Sequence, residues 1–112
     1  MTKEMTKETI LQVNTVRLWI TRAAPHMHID ASGTVSTGGW TGPELCPVDH
    51  GKASPNGVYE FAFVAERPKG PVTQALSPIE ATYTAEDPPT GLTAIRVIAS
   101  ENSLVAKPEF PE

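Results

Sequence analysis

The sequence predicts an all-β domain, an antiparallel β-sandwich of about seven strands, immunoglobulin-like in class, with little or no helix. Three observations carry that expectation. Thr, Val and Ile fill 28 of the 112 positions, and β-branched side chains favour the pleated backbone. Apolar and polar residues alternate over segment after segment, the period of a half-buried strand. Gly/Pro clusters break the alternation at regular intervals, and no stretch of ten or more residues keeps a capped helical period.

Each element follows from its own pattern. From Ile10 to Ile20, Ile10, Val16, Leu18 and Ile20 share one parity, with Thr15, Arg17 and Trp19 on the other. From Met27 to Val35, Met27, Ile29, Ala31 and Val35 form one face against His26, His28, Asp30, Ser32 and Thr34. The segment from Gly57 to Val64 sets Tyr59, Phe61 and Phe63 on one side. Two further pieces, 72–76 and 79–85, are separated by Ser77-Pro78, and Ile79, Ala81 and Tyr83 share a face of the second. Residues 92–99 bring Ile95, Val97 and Ala99 together, and 103–107 adds a short edge strand. Between them lie turn clusters such as Thr37-Gly38-Gly39, Ser54-Pro55-Asn56-Gly57 and Asp87-Pro88-Pro89-Thr90-Gly91, the chemistry of tight connections.

Length allows one domain. Residues 1–8, a tandem MTKE, read as a frayed arm, 9–107 as the single sandwich domain, and 108–112 as a Pro-broken charged tail. Leu, Ile, Val and Phe supply 24 residues, barely enough for a core unless nearly all of them are turned inward. One cysteine, Cys46, excludes a disulfide scaffold and fits a reducing, cytoplasmic setting, as does the lack of an apolar leader. The longest apolar run has five residues, 61–65, far short of a membrane span. A net charge of −4 argues against general nucleic-acid binding. That charge is local: residues 1–69 carry seven bases and seven acids, whereas 70–112 carry two bases and six acids. The ordinary meaning of such a fringe is solubility.

A resemblance is carried by the stretch Gly33-Thr34-Val35-Ser36-Thr37-Gly38-Gly39-Trp40, continued by Pro43, Leu45 and Pro47, together with Asn56-Gly57-Val58-Tyr59-Glu60-Phe61, Val72-Thr73-Gln74 and Ser77-Pro78-Ile79. Across residues 30–103 the chain resembles a group of small, uncharacterised bacterial proteins that share a G-x-V-x-T-x-G-W stretch. The resemblance implies a β-rich domain and brings no activity, ligand or catalytic residue with it.

Candidate chemistry is sparse. His26-x-His28-x-Asp30 sets two imidazoles and a carboxylate on one side of a strand, a start on a metal site that Cys46 or Asp49-His50 would have to close. The competing explanation is the polar outer face of a strand whose inner face is Met27, Ile29 and Ala31. Cys46, between Leu45 and Pro47, has no nucleophile signature around it and reads as a small buried residue. No Gly-x-Ser-x-Gly and no phosphate loop occur, so no enzyme and no cofactor is expected.

Binding features are better represented. Trp19 falls on the parity opposite Leu18, Trp40 follows a Gly-Gly pair, and Arg67-Pro68-Lys69-Gly70-Pro71 is a rigid basic loop. Trp19, Trp40, Arg67 and Lys69 are the candidate binding residues, and for Trp40, an exposed anchor or a plug at the end of the sandwich, the plug is the favoured reading. The expected function is therefore a non-enzymatic protein-interaction or assembly module whose partner is another protein or a second copy of itself, a homodimer. The alternatives are an inhibitor-like domain presenting loops Thr37–Thr41, Pro68–Pro71 and Pro88–Gly91, and metal binding through His26 and His28.

Overall fold

The structure, a computed structural model, describes residues 7–21, 26–48, 57–68, 70, 74–86 and 91–110. The chain is all-β, with no helix among these residues. Its strands are β1 (Lys7–Thr9), β2 (Gln12–Ile20), β3 (Met27–Val35), β4 (Thr41–Pro47), β5 (Val58–Glu66), β6 (Ser77–Ala85), β7 (Ala94–Ile98), β8 (Ser103–Ala106) and β9 (Pro108–Glu109).

Two sheets form. One has the order β6-β3-β2-β9. In the other, β4 takes one edge of β5 while β7 and the short β1 share the opposite edge, β7 along residues 58–62 and β1 along 64–66; β8 pairs with β7. Inward side chains of both sheets make one core. Phe63 is its largest fully buried member, joined by Ile10, Val13, Leu18, Met27, Ile29, Val35, Ile95 and Val97. Phe61 of one sheet and Tyr83 of the other meet edge-on, ring centroids 4.9 Å apart, an aromatic link across the core. No polar or charged side chain is buried among the described residues.

The expected antiparallel arrangement is corrected at two places. β5 and β7 run parallel, and so do β2 and β9. For the first pair the reason is connectivity: the chain leaves one sheet after β5, reverses direction in the other as β6, and returns as β7 pointing the same way as β5. Strand number and limits also differ from expectation. β4 lies in a Gly/Pro-rich stretch that alternation could not reveal, since Leu45 is its single buried residue. Gly42, at φ +61°, and Pro43 stand opposite the single residue Ala65, so this strand pairs through a bulge. β6 runs through Ser77-Pro78 without a break, with Pro78 directly across from Thr34. Lys7 and Glu8, expected in a frayed arm, pair with Glu66 and Ala65, and the expected tail contributes β9 at Pro108–Glu109. Residues 72 and 73 of the expected 72–76 piece lie outside the described residues.

Where alternation is strict the match is close. β3 occupies the expected residues with Met27, Ile29, Ala31, Gly33 and Val35 buried, and β5 buries Tyr59, Phe61, Phe63 and Ala65. β2 does not keep one parity. Val13 pairs with Gly33 and Thr15 with Ser32, so Asn14 is an extra residue, and this bulge lets both Val13 and Leu18 face the core.

Candidate functional site

The bulge at Asn14 decides what β2 shows to solvent. Beyond it, Thr15, Arg17 and Trp19 fall on the outer face of the four-stranded sheet. The strand register extends each into a row: Trp19 beside His28 and Thr84, Arg17 beside Asp30 and Thr82, and Thr15 beside Ser32 and Glu80. All these side chains point away from the core, because their neighbours Leu18, Ile29, Ala31 and Ala81 point into it.

Trp19 is the centre of this face. Its indole is half-buried and stacks on the His28 imidazole, centroids 5.2 Å apart and planes 15° from parallel. The Arg17 guanidinium carbon lies 4.8 Å from the Trp19 ring centroid, within cation–π range. Arg17 also donates from Nε (3.3 Å) and Nη2 (3.2 Å) to Glu109 Oε1 on the neighbouring β9. The indole is thus flanked by Arg17 on the β9 side and His28 on the β3 side. His28 Nδ1 stands 3.5 Å from Thr84 Oγ1, and the His26 ring lies 6.3 Å from His28, tilted 40°. Next to this row is a shallow depression of about 250 Å³, lined by Thr15, Arg17, Asp30, Ser32, Glu80 and Thr82. Chemically the face offers fixed aromatic surface, one cation, three exposed carboxylates (Asp30, Glu80 and Glu109) and several hydroxyls.

A second cluster sits at the end of the core where β3 leads into β4. Trp40 is half-buried and packs against the core, with its Nε1 donating to Thr37 Oγ1 at 3.2 Å. Arg67 lies with its guanidinium carbon 5.3 Å from the Trp40 ring and donates to both Glu8 carboxylate oxygens, at 3.0 and 2.8 Å. This bidentate pair holds the Glu8 carboxyl below its ordinary value, chiefly through the Arg67 hydrogen bond. Lys69 lies outside the described residues.

Cys46 belongs to the other sheet. Leu45 faces the core, so Cys46 faces outward beside Ala62, on the opposite side of the molecule from His26 and His28. It therefore cannot complete a metal site with them. Asp49 and His50 lie outside the described residues, and among those described no group of three or more His, Cys, Asp and Glu side chains converges to hold a metal ion. The Cys46 thiol is pushed up by burial first and by the adjacent Glu44 carboxylate second, the reverse of nucleophile activation. Glu44 itself is held low by its hydrogen bond from Lys7.

Of the three loops considered for an inhibitor-like role, residues 69, 71 and 88–90 lie outside the described residues; only the strand ends leading into them are described. Val35 pairs with Ser77, which sets the β3–β4 and β5–β6 connections at one end; Met27 pairs with Ala85, which sends the chain after β6 to the other end. Arg17 and Glu109 were not singled out by sequence reasoning. Arg17 carried a usable signal, its shared parity with Trp19. Glu109 carried none, because it reaches β2 through a parallel contact made 92 residues away along the chain. In comparisons with known proteins, no family model matches the chain, and no curated protein or solved structure matches it significantly.

Proposed function

We propose that this chain is a non-enzymatic protein-interaction or assembly module, built on a two-sheet β-sandwich of the immunoglobulin-like kind and working in a reducing compartment where Cys46 stays a thiol. The sandwich reading is supported by two sheets turning their apolar faces to one core. The observation that carries the functional reading is the Arg17–Trp19–His28 row. Trp and Arg are the residues that most often anchor protein interfaces, and these two are held in place by Glu109 and His28 before any partner arrives. Pre-ordering side chains of this kind lowers the entropic cost of docking. Trp40 and Arg67 form a second, smaller contact set at the end of the core.

The test is partner capture on immobilised chain, with identification by mass spectrometry, comparing the native sequence with Arg17→Ala/Trp19→Ala. A defined protein held by the native chain and lost from the double variant supports the assignment. Equal capture by both, with circular dichroism showing both folded, counts against this face.

A further inference from the structure

Among the described residues the two sheets end in five strand edges, and four of them are blunted, β1 by having only three residues. β4 is broken by its bulge at Gly42-Pro43 and ends on Pro47; β8 has four residues; β9 has two and begins with Pro108. Short length, bulges and proline are the usual devices against edge-to-edge pairing. β6 differs. It runs nine residues in unshifted register with β3, and its outer edge makes no backbone hydrogen bond among the described residues. β4 packs near it from the other sheet without pairing. Its one charged residue is Glu80, it carries no lysine, and its one proline, Pro78, stands next to its first residue, which leaves 79–85 without proline or bulge.

Pro78 tells which backbone groups face outward. A ladder with β3 that continues through a residue lacking an N–H places that nitrogen on the free side. By the alternation of an antiparallel ladder, Pro78, Glu80, Thr82 and Thr84 then present their backbone groups to the open edge.

We propose that this edge pairs antiparallel with β6 of a second copy of the chain, about a two-fold axis at Ala81, joining two four-stranded sheets into one. The inference rests on the reading of the chain as an interaction or assembly module and names its partner. The segment is self-complementary in this register. Glu80 meets the partner's Thr82, so no carboxylates lie directly opposite. Ile79 meets the partner's Tyr83 on the core side, and the small Ala81 side chains meet at the axis. The central Glu80–Thr82 pairs exchange both backbone bonds, and each Thr84 N–H reaches the partner's Pro78 carbonyl. Dimerisation on the axis also joins the two outer faces, and with them the depressions lined by Glu80 and Thr82, into one surface.

Sedimentation equilibrium of the full chain over a concentration series tests this directly. The expected species is twice the 12.0 kDa chain mass. Thr82→Pro removes a central donor on the side facing away from β3, and is expected to weaken the dimer roughly tenfold or more while the monomer stays folded by circular dichroism. Charge variants read the register without touching the backbone. Thr82→Lys faces the partner's Glu80 and tightens association, whereas Thr82→Glu faces it with like charge and weakens association about tenfold at low salt. A chain that is monomeric at every concentration overturns the proposal. So does a dimer indifferent to Thr82→Pro and to both charge changes, since it must use another surface. Neither result bears on the Arg17–Trp19 face, which the capture experiment judges separately.

Discussion

The Asn102 side chain hydrogen-bonds both backbone groups of Val13: its Oδ1 accepts from the Val13 N–H at 2.8 Å and its Nδ2 donates to the Val13 carbonyl at 2.9 Å. One amide side chain thereby acts as a one-residue strand, at the place where the bulge at Asn14 interrupts β2. The turn that carries Asn102 docks on the same segment, with Ser100 N–H donating to Ile10 O and Glu101 N–H to Leu11 O. This turn joins β7 and β8 of one sheet to the start of β2 in the other. It also fixes the bulge that sets Arg17 and Trp19 outward.

Asn102→Ala leaves both Val13 backbone groups without these partners. The expected loss is about 1–3 kcal/mol of stability, read as a lower urea midpoint at unchanged slope. Amide hydrogen exchange at Val13 should accelerate more than at Ile29 in the centre of β3. An unchanged midpoint together with unchanged Val13 protection would show that the amide bonds are dispensable.

Gly33 is required by contact rather than by turn geometry. A Cβ at this position would collide with the Gln12 carbonyl oxygen and Ile10 Cδ1, because the Asn14 bulge brings β2 against β3 here. Gly33→Ala is expected to cost about 1–3 kcal/mol through overpacking. Gly91, at φ +74° with open space around its missing side chain, is the comparison. Gly91→Ala meets only backbone strain, about 1–2 kcal/mol. The two variants separate by mechanism: Gly33→Ala should also perturb the environment of Phe63, which lies next to the added methyl, in methyl and aromatic NMR spectra.

How much of this was legible follows from what each residue signals locally. β3 and β5 alternate strictly, so their limits and inward faces could be read directly. β4 could not, since one buried leucine among Gly and Pro makes no period; it is a strand because β5 offers it an edge and Gly42 adopts a left-handed conformation. Pro78 reads as a breaker only if its nitrogen is assumed to face a neighbouring strand. The outward parity of Trp19 was visible, but its surroundings were not. His28 arrives by strand pairing and Glu109 from the far end of the chain, and neither spacing nor composition encodes those meetings. Asn102 shows the same limit, for an amide in a turn carries no mark of the strand that it completes.

Acid sensitivity should come from two ion pairs that flank β5. Hydrogen bonds from Arg67 and Lys7 hold the Glu8 and Glu44 carboxyls, respectively, below the ordinary carboxylate value. A carboxyl lowered on folding contributes stability that is present above its unfolded value and disappears as pH falls through its folded value. Thermal midpoints should therefore decline from about pH 5 towards pH 3. Glu44→Gln should flatten part of that decline, and Glu8→Gln a further part. Both pairs are exposed enough that 0.5 M salt should reduce the effect. A pH profile identical in native and double-variant proteins would assign the decline to other carboxylates.

Cys46 provides a chemical readout of the same neighbourhood. Burial raises its thiol first, the Glu44 carboxylate adds to this, and the Lys7 ammonium opposes it. Thiolate is the reacting form, so native Cys46 should alkylate with iodoacetamide about tenfold or more slowly at pH 8 than the urea-unfolded chain. Glu44→Gln removes the negative neighbour and releases Lys7, which should speed the native reaction. It should not reach the unfolded rate, because the larger cause, burial beside Ala62, remains. Phe63→Ala gives the opposite control: loss of the largest core side chain should cost about 3–5 kcal/mol and let alkylation proceed through opening of the fold. If native Cys46 reacted as fast as the unfolded chain, its thiol would be neither buried nor restrained by Glu44, and an activated cysteine on the outer face of β4 would have to be considered.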